Sequence, residues 1–385
     1  MSAPVPMRAT PYLVDVAANL TDCVFRGVDW KGNRLHDDDF DCVLARAQER
    51  NVQQIIVTGT SLAQSVKAIA LCRRYPDRRL LCTVGVHPAH CSEFLRPLDH
   101  NEVQRVADSD ISMVMAHHEG PTMGTTAEQE EAWAQERLDY LVNLVDKNRD
   151  VVVAVGEIGL DYAELNCCPR EVQEKYFARQ LTAFASLRLP FLFHSRECGM
   201  GFASQLKDTW ARIASATATA TDTDTARAEA DHPSSSSPVL STELRGVVHS
   251  FSGSLEEQKT LLSMGLYLSV NCSAFRDASL AKQATSIPLD RLMLETDAPW
   301  CDVRPKDYGA QFVRTVFKTI KRRKPFEMGA CLERRNEPCH LVHVIEEYLG
   351  SVKVSATGPD DPLSRIDEAA LIAAVYDNCT RLFQL

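Results

Sequence analysis

Apolar runs that stop abruptly at polar residues recur along the 385-residue chain. They fall at Tyr12–Ala17, Gln54–Gly59, Leu80–His87, Val151–Glu157, Leu189–His194, Arg245–His249, Leu266–Asn271 and Arg291–Asp297. The run before Gly156 is continuous in β-branched or small apolar residues, as in a parallel strand covered on both faces. Between the runs, apolar positions three or four apart predict helices at Asp37–Arg50, Ser61–Arg74, Pro169–Ser186, Gly199–Thr209, Ser254–Ser263 and Leu280–Ser286. Ser61 and Ser254 suit N-caps, the second with Glu257 completing a capping box. Eight strands alternating with helices predict a (β/α)8 TIM barrel forming a single domain over residues 1–385. An open doubly wound sheet is the rival arrangement.

Three segments break the alternation and read as long insertions in loops. Asp108–Asn148 begins irregularly and ends as a Glu-rich helix containing Trp133. Ser215–Pro238, poor in bulky apolar side chains, predicts a disordered surface loop, and Ser355–Pro362 has the same character. His117, His118 and His232 fall in these segments, so they are expected to face solvent and ligate nothing.

Composition narrows the class. With 45% hydrophobic and 24% charged residues the chain reads as a soluble globular protein. No apolar run approaches the roughly 18 residues of a membrane span, and Met1–Pro11 lacks the pattern of a secretory signal. Thirteen cysteines without a CxxC pair suit reduced thiols. Together these predict a protein inside the cell, cytoplasmic or nuclear, with no membrane partner. The formal net charge is −10, yet Arg304–Arg335 carries ten Lys/Arg against three acids. An acidic body with one basic segment is a directional charge distribution, suited to nucleic acid, to nuclear import or simply to solvation.

Candidate chemistry gathers at the predicted strand ends. Glu157, His194, His249 and Asp297 terminate four runs and His87 a fifth. In a parallel barrel all strand C-termini open on one rim, so these residues converge despite their separation in sequence. A carboxylate, two imidazoles and a second carboxylate suit Zn²⁺, Mn²⁺ or Mg²⁺, as one or two ions. Such a site does hydrolysis, with the metal activating water and a carboxylate accepting the proton. Glu157, His194 and His249 are expected to hold the firm metal, with Glu157 bridging toward a second ion near Asp297, itself ligand and general base. Arg196 follows His194 by two residues and suits a phosphate, or else a salt bridge to Glu157 or Glu197. The same barrel equally supports hydrolysis of small esters, amides or phosphoesters, or a non-catalytic binding role.

The motifs VDVAANLTD, IIVTGTS, GVHP, GEIGLDY, PFLFHSR, VHSFSGS, ETDAPW and RRNEP, in that order from about Leu13 to about Gly350, closely resemble the TatD family of metal-dependent deoxyribonucleases. The resemblance implies a Mg²⁺-dependent nuclease with 3′–5′ exonuclease activity on DNA and links to DNA repair and apoptotic DNA fragmentation. It carries the metal ligands onto Glu157, His194, His249 and Asp297, and places His87, Arg196 and Asp161 in the same pocket, with Asn336 and Glu337 structural. Many relatives begin with Asp-x-His-x-His, where this chain has Asp15, Ala17 and Asn19. That departure leaves a second ion fewer protein ligands, so it is expected to bind weakly and together with substrate phosphate. Lys321, Arg322, Arg323 and Lys324 follow the eighth strand and are expected on a loop and helix beside the rim, tracking a DNA backbone. The interleaved Phe312, Phe317 and Phe326 are expected as core residues of that helix, or as base-stacking groups.

Overall fold

Eight parallel strands form one sheet in strict sequence order, β1 (Leu13–Ala18), β2 (Val52–Val57), β3 (Leu80–Val84), β4 (Val152–Asp161), β5 (Phe191–Arg196), β6 (Gly246–Val248), β7 (Tyr267–Val270) and β8 (Leu292–Leu294). The computed structural model describes residues 11–108, 125–228, 243–321, 324–358 and 361–385. Neighbour-on-neighbour parallel pairing from β1 to β8 is the (β/α)8 barrel and excludes the open sheet, whose strand order would reverse. The ring is drawn together at its seam, where Asp297 N–H donates to the Ala17 carbonyl at 2.9 Å and Asn19 N–H to the Ala298 carbonyl at 2.6 Å. Asp15, buried, accepts there from the Thr296 backbone at 2.9 Å and from its hydroxyl. Burial pushes the Asp15 carboxyl up to about 8, against the pull of those bonds.

Alternation along each strand divides the core in two. Val14, Val16, Ile56, Leu81, Val153, Leu192, Val247 and Met293 fill the barrel interior. Their sequence neighbours, among them Leu13, Ile55, Val57, Leu80, Cys82 and Val84, pack outward against the helices. The helices are α1 (Phe40–Glu49), α2 (Leu62–Arg74), α3 (His100–Asp108), α4 (Ala127–Asp146), α5 (Arg170–Phe184), α6 (Met200–Ala228), α7 (Leu255–Ser263), α8 (Ala278–Ala284), α9 (Leu341–Ser355) and α10 (Glu368–Phe383). Ser61 and Ser254 cap α2 and α7 as their spacing predicts, the latter through a capping box with Glu257. Helix α10 inserts Cys379, Leu382 and Phe383 into the interior cluster and so closes the base of the barrel, opposite the strand ends.

Several expectations are corrected. Helix α4 is not part of an insertion: Ala134, Leu138, Leu141 and Val145 are buried against the barrel, so it is the crossover between β3 and β4. Its Glu-rich outer face disguised an amphipathic layer helix. The segment from Ser215 is helical up to Ala228 as a continuation of α6, because its alanines favour helix. His117, His118 and His232 lie outside the described residues, as do Arg322 and Arg323. Among its described residues the basic segment forms no α-helix; a 3₁₀ turn at Tyr308–Phe312 is followed by a ribbon of β9 (Thr319–Ile320) paired with β10 (Cys331–Leu332). Phe312, at the end of that turn, and Phe317 and Phe326, beyond it, are half-buried packing residues. Phe317 packs against His340, His343 and the Arg50 guanidinium, and Phe326 stacks on His36.

A candidate metal centre at the barrel mouth

Strand β4 runs four residues past the predicted end at Glu157, because Ile158 and Leu160 remain fully buried. Glu157 itself sits at a bulge: Gly156 pairs with Leu192 and Ile158 with Phe193, so β4 advances two residues where β5 advances one. A bulge re-aims one side chain, and here it turns the carboxylate into the mouth. Gly156 (φ 136°) and Gly159 (φ 153°) make this possible, since a Cβ at either would collide with a β5 carbonyl, of Leu192 or His194.

Two imidazoles meet that carboxylate at a single oxygen. His194 Nδ1 and His249 Nε2 each lie 2.6 Å from Glu157 Oε1, and 3.0 Å from one another. Two ring nitrogens facing each other and the same oxygen cannot all be satisfied by protons, because two N–H donors would point together. A divalent cation accepting lone pairs from both rings and the carboxylate resolves the conflict, and the donor set fits Zn²⁺, Mn²⁺ or Mg²⁺. His194 Nε2 is 3.1 Å from Asp161 Oδ2, so its far nitrogen is held by a carboxylate. His249 Nδ1 faces Glu295 Oε1 at 3.4 Å. Glu295, fully buried, is in turn fixed by Ser269 and by Asn271 at 3.1 Å. Carboxylates behind both rings are the arrangement that orients metal-ligating histidines.

His87 falls beyond the end of β3 and caps the following 3₁₀ turn: its Nδ1 accepts from Ala89 N–H at 3.1 Å. The ring proton therefore resides on Nε2, which faces Glu157 Oε1 at 3.5 Å as a donor. Asp297, with φ of 54°, turns back over the site after β8. Its Oδ1 accepts from Asn19 Nδ2 at 2.9 Å, and Asn19 is itself held by the Thr58 hydroxyl. Arg196 pairs with Asp161 at 3.6 Å and Glu164 at 3.5 Å rather than with Glu157 or Glu197, leaving half its side chain exposed.

Electrostatics follow the packing. Burial would push the Glu157 carboxyl up, but His249, His87 and His194 outweigh it and hold it well below the usual range. Burial would lower His249, yet Glu157 and Glu295 raise it well above the ordinary imidazole value. His194 is raised against burial by its bonds to Asp161 and Glu157. Burial, reinforced by His194, drops His87 to about 3, so it is neutral. Burial takes Asp297 to about 7, with Glu295 and Glu157 adding to the rise and His249 opposing it.

All of these side chains except Glu295 line one cavity of about 1020 Å³, together with Asn19, Arg276, Trp300 and Arg304. Lys321 is exposed on the ribbon and does not line it. A second constellation, Cys331, Cys339 and His340, brings three ligand atoms within 4.8 Å of one another but is entirely buried, away from any substrate. The thirteen cysteines are all free. Among the described residues no helix is long and apolar enough to cross a membrane.

The sequence model of the family described as TatD related DNase matches residues 14–384. The chain belongs to that family. The match includes α9 and α10, some thirty-five residues past the Gly350 limit of the motif resemblance. A TatD relative from Schizosaccharomyces pombe, "Deoxyribonuclease Tat-D", is 31% identical over 346 residues, covering 88% of each chain. The "3'-5' ssDNA/RNA exonuclease TatD" of Erwinia tasmaniensis is 28% identical across 97% of this chain and all of that one. Among solved structures, an uncharacterized amidohydrolase from Saccharomyces cerevisiae superposes with a TM-score of 0.70 at 25% identity, over 97% of this chain and 100% of the other. Glu295 and Trp300 flank Asp297 in the TatD motif ETDAPW, and only the terminal acid was singled out from sequence. The signal available for Glu295 was a carboxylate inside an otherwise apolar strand end, which must have a buried partner.

Proposed function

We propose that this protein is a divalent-metal-dependent deoxyribonuclease that hydrolyses DNA phosphodiester bonds, working 3′ to 5′ as an exonuclease. The observation that carries this reading is the convergence of His194 and His249 on one oxygen of Glu157 inside a large cavity, in a chain of the TatD family. Glu157, His194, His249 and Asp297 would hold the metal, Mg²⁺ in the first instance. When bound, the cation supplies Lewis-acid polarisation and charge neutralisation at a phosphoryl group. Asp161 and Glu295 orient the two imidazoles, and Asp297 accepts the proton of the attacking water. Asn19 holds Asp297 and stands where many relatives place a histidine, which fits a second ion bound weakly and with substrate. His87 presents an N–H to Glu157, and Arg196 presents its exposed guanidinium to a phosphate, while Lys321, Arg322 and Arg323 extend the contact to more distant phosphates. The protein acts as a single hydrolase domain, in the cytoplasm or nucleus, on DNA undergoing repair or apoptotic fragmentation.

Release of nucleotides from single-stranded and nicked double-stranded DNA with Mg²⁺ tests the proposal. Glu157→Ala and Asp297→Ala should each reduce the rate by at least about 100-fold. Activity surviving both substitutions removes this mechanism. Replacing Lys321, Arg322, Arg323 and Lys324 with Ala should raise KM for DNA and flatten its salt dependence, whereas an unchanged slope would take the basic run out of substrate binding.

A further inference from the structure

Trp300, three residues beyond Asp297, lines the cavity while 47% of it stays exposed. Its ring is stacked on that of Trp30, with centroids 5.4 Å apart and planes within 8° of parallel, and Trp30 is itself 44% exposed. Two tryptophans piled face to face in water is a costly use of the largest apolar side chain, unless the pile serves as a platform. Both residues are anchored, Trp30 through its ring and Trp300 through its backbone. Trp30 sits on a tight turn closed by the Asp29 carboxylate, which accepts from Lys31 N–H and Asn33 N–H at 2.9 and 2.8 Å, and its indole N–H reaches Asp22 at 3.2 Å. The carbonyl of Trp300 accepts from the buried Asn336 side chain at 2.7 Å, and the same amide holds the Thr296 carbonyl at 2.8 Å. The stack is thus tied to the loop that carries Asp297.

Cations complete the pattern. Arg276 and Arg304 line the same cavity. Arg137 and Arg196, also in that wall, are paired with Glu93, Asp161 or Glu164. Arg276 and Arg304 make no salt bridge among the described residues. An aromatic face beside two uncommitted guanidinium groups matches the alternation of base and phosphate along a nucleic acid strand. A duplex keeps its base faces covered, so only an unpaired strand can use such a platform.

We propose that Trp300, backed by Trp30, is a stacking site for an unpaired nucleobase of the substrate, with Arg276 and Arg304 holding the adjoining phosphates. The proposal rests on the nuclease reading for the identity of the polymer. Stacking is indifferent to base identity and to the sugar, so this mouth selects single strands without selecting sequence.

The test uses the full chain with Glu157→Ala to prevent cleavage, and oligo-dT against the same oligomer carrying one abasic residue near its 3′ end. The protein with Trp300 intact should bind the complete oligomer about 5- to 100-fold more tightly than the abasic one, and quench its own tryptophan fluorescence only with the former. Trp300→Ala should collapse that ratio toward one and Trp300→Phe should preserve most of it. Arg276→Gln and Arg304→Gln should each reduce the slope of log affinity against log salt by about one. A ratio near one with Trp300 intact, or a ratio that survives Trp300→Ala, overturns the proposal. The fluorescence comparison needs no variant at Trp300 and so decides the matter even if Trp300→Ala does not fold. Failure of the otherwise unsubstituted enzyme to cleave DNA with Mg²⁺, alongside an intact binding ratio, would sink the nuclease reading and leave the platform standing.

Discussion

Two buried charged clusters adjoin the loop after β8, one through Asn336 and the other through Asp297, and they are built on opposite principles. On the flank, Arg335 bridges both oxygens of Asp39 at 2.8 and 2.6 Å and reaches Glu337 at 2.9 Å, while Arg46 meets Glu337 at 2.8 Å. Two guanidinium groups answer two carboxylates, and the cluster is electrically closed. At the mouth, Glu157, Asp161, Glu295 and Asp297 face three imidazoles and no fixed cation except the half-exposed Arg196. That cluster has one permanent cation for four carboxylates, so its balance depends on protons held by His194 and His249 or on a cation that takes their place. The difference separates charge used to hold the fold from charge used for chemistry.

Breaking the closed cluster should have the largest effect on stability. Arg335→Ala leaves Asp39 and Glu337 buried without their partner, and denaturant melts should show a loss of about 3–5 kcal/mol, with little change in activity per folded molecule. Loss of activity without loss of stability would merge the two clusters into one functional unit. Next comes the support of the open cluster. Glu295→Gln keeps the shape but removes the charge behind His249, and metal titration should show about 10- to 100-fold weaker binding with an unchanged melting temperature. Equal metal affinity would mean that Ser269 and Asn271 suffice to hold the ring.

The smallest expected effect concerns a carboxyl that belongs to neither cluster. Glu347 is fully buried without a well-formed hydrogen bond among the described residues, and burial pushes it up to about 8, above the value of 4.5 it takes when free. Its folded form keeps a proton that the unfolded chain has lost, so its contribution to stability is complete below about pH 4.5 and is lost as pH rises toward 8. Glu347→Gln should therefore lessen the fall in stability between pH 5 and 8, to which Asp15 and Asp297 also contribute, and gain about 1–3 kcal/mol over the natural chain at the upper end, read from melts at a series of pH values. A natural chain whose stability does not fall across that window contradicts the assignment.

The barrel was legible because buried parallel strands announce themselves as continuous apolar runs, and because a polar residue ending such a run has one rim to go to. The same reasoning brings His194, His249, Glu157 and Asp297 to one rim. It misjudged Glu157 as a strand end, since a bulge leaves no mark in composition beyond the glycines that permit it. It took α4 for an insertion and the residues from Ser215 for a loop, because a helix can be polar on its outer face, or rich in alanine and threonine rather than in bulky apolar side chains. The pairing of Trp30 with Trp300 and of Asp39 with Arg335 had no local signal at all, being set by the closing of the ring.

That closing has a consequence for when the enzyme becomes dangerous. Asn19 and Asp297 are 278 positions apart, and Asp15 and Thr296 are 281 apart, yet they join side by side at the seam. No partial product of the ribosome that stops short of the eighth strand can assemble the mouth, and the search that unites such distant segments comes late in folding. Nucleolytic competence is therefore a property of the finished circle, and half-made chains lack it.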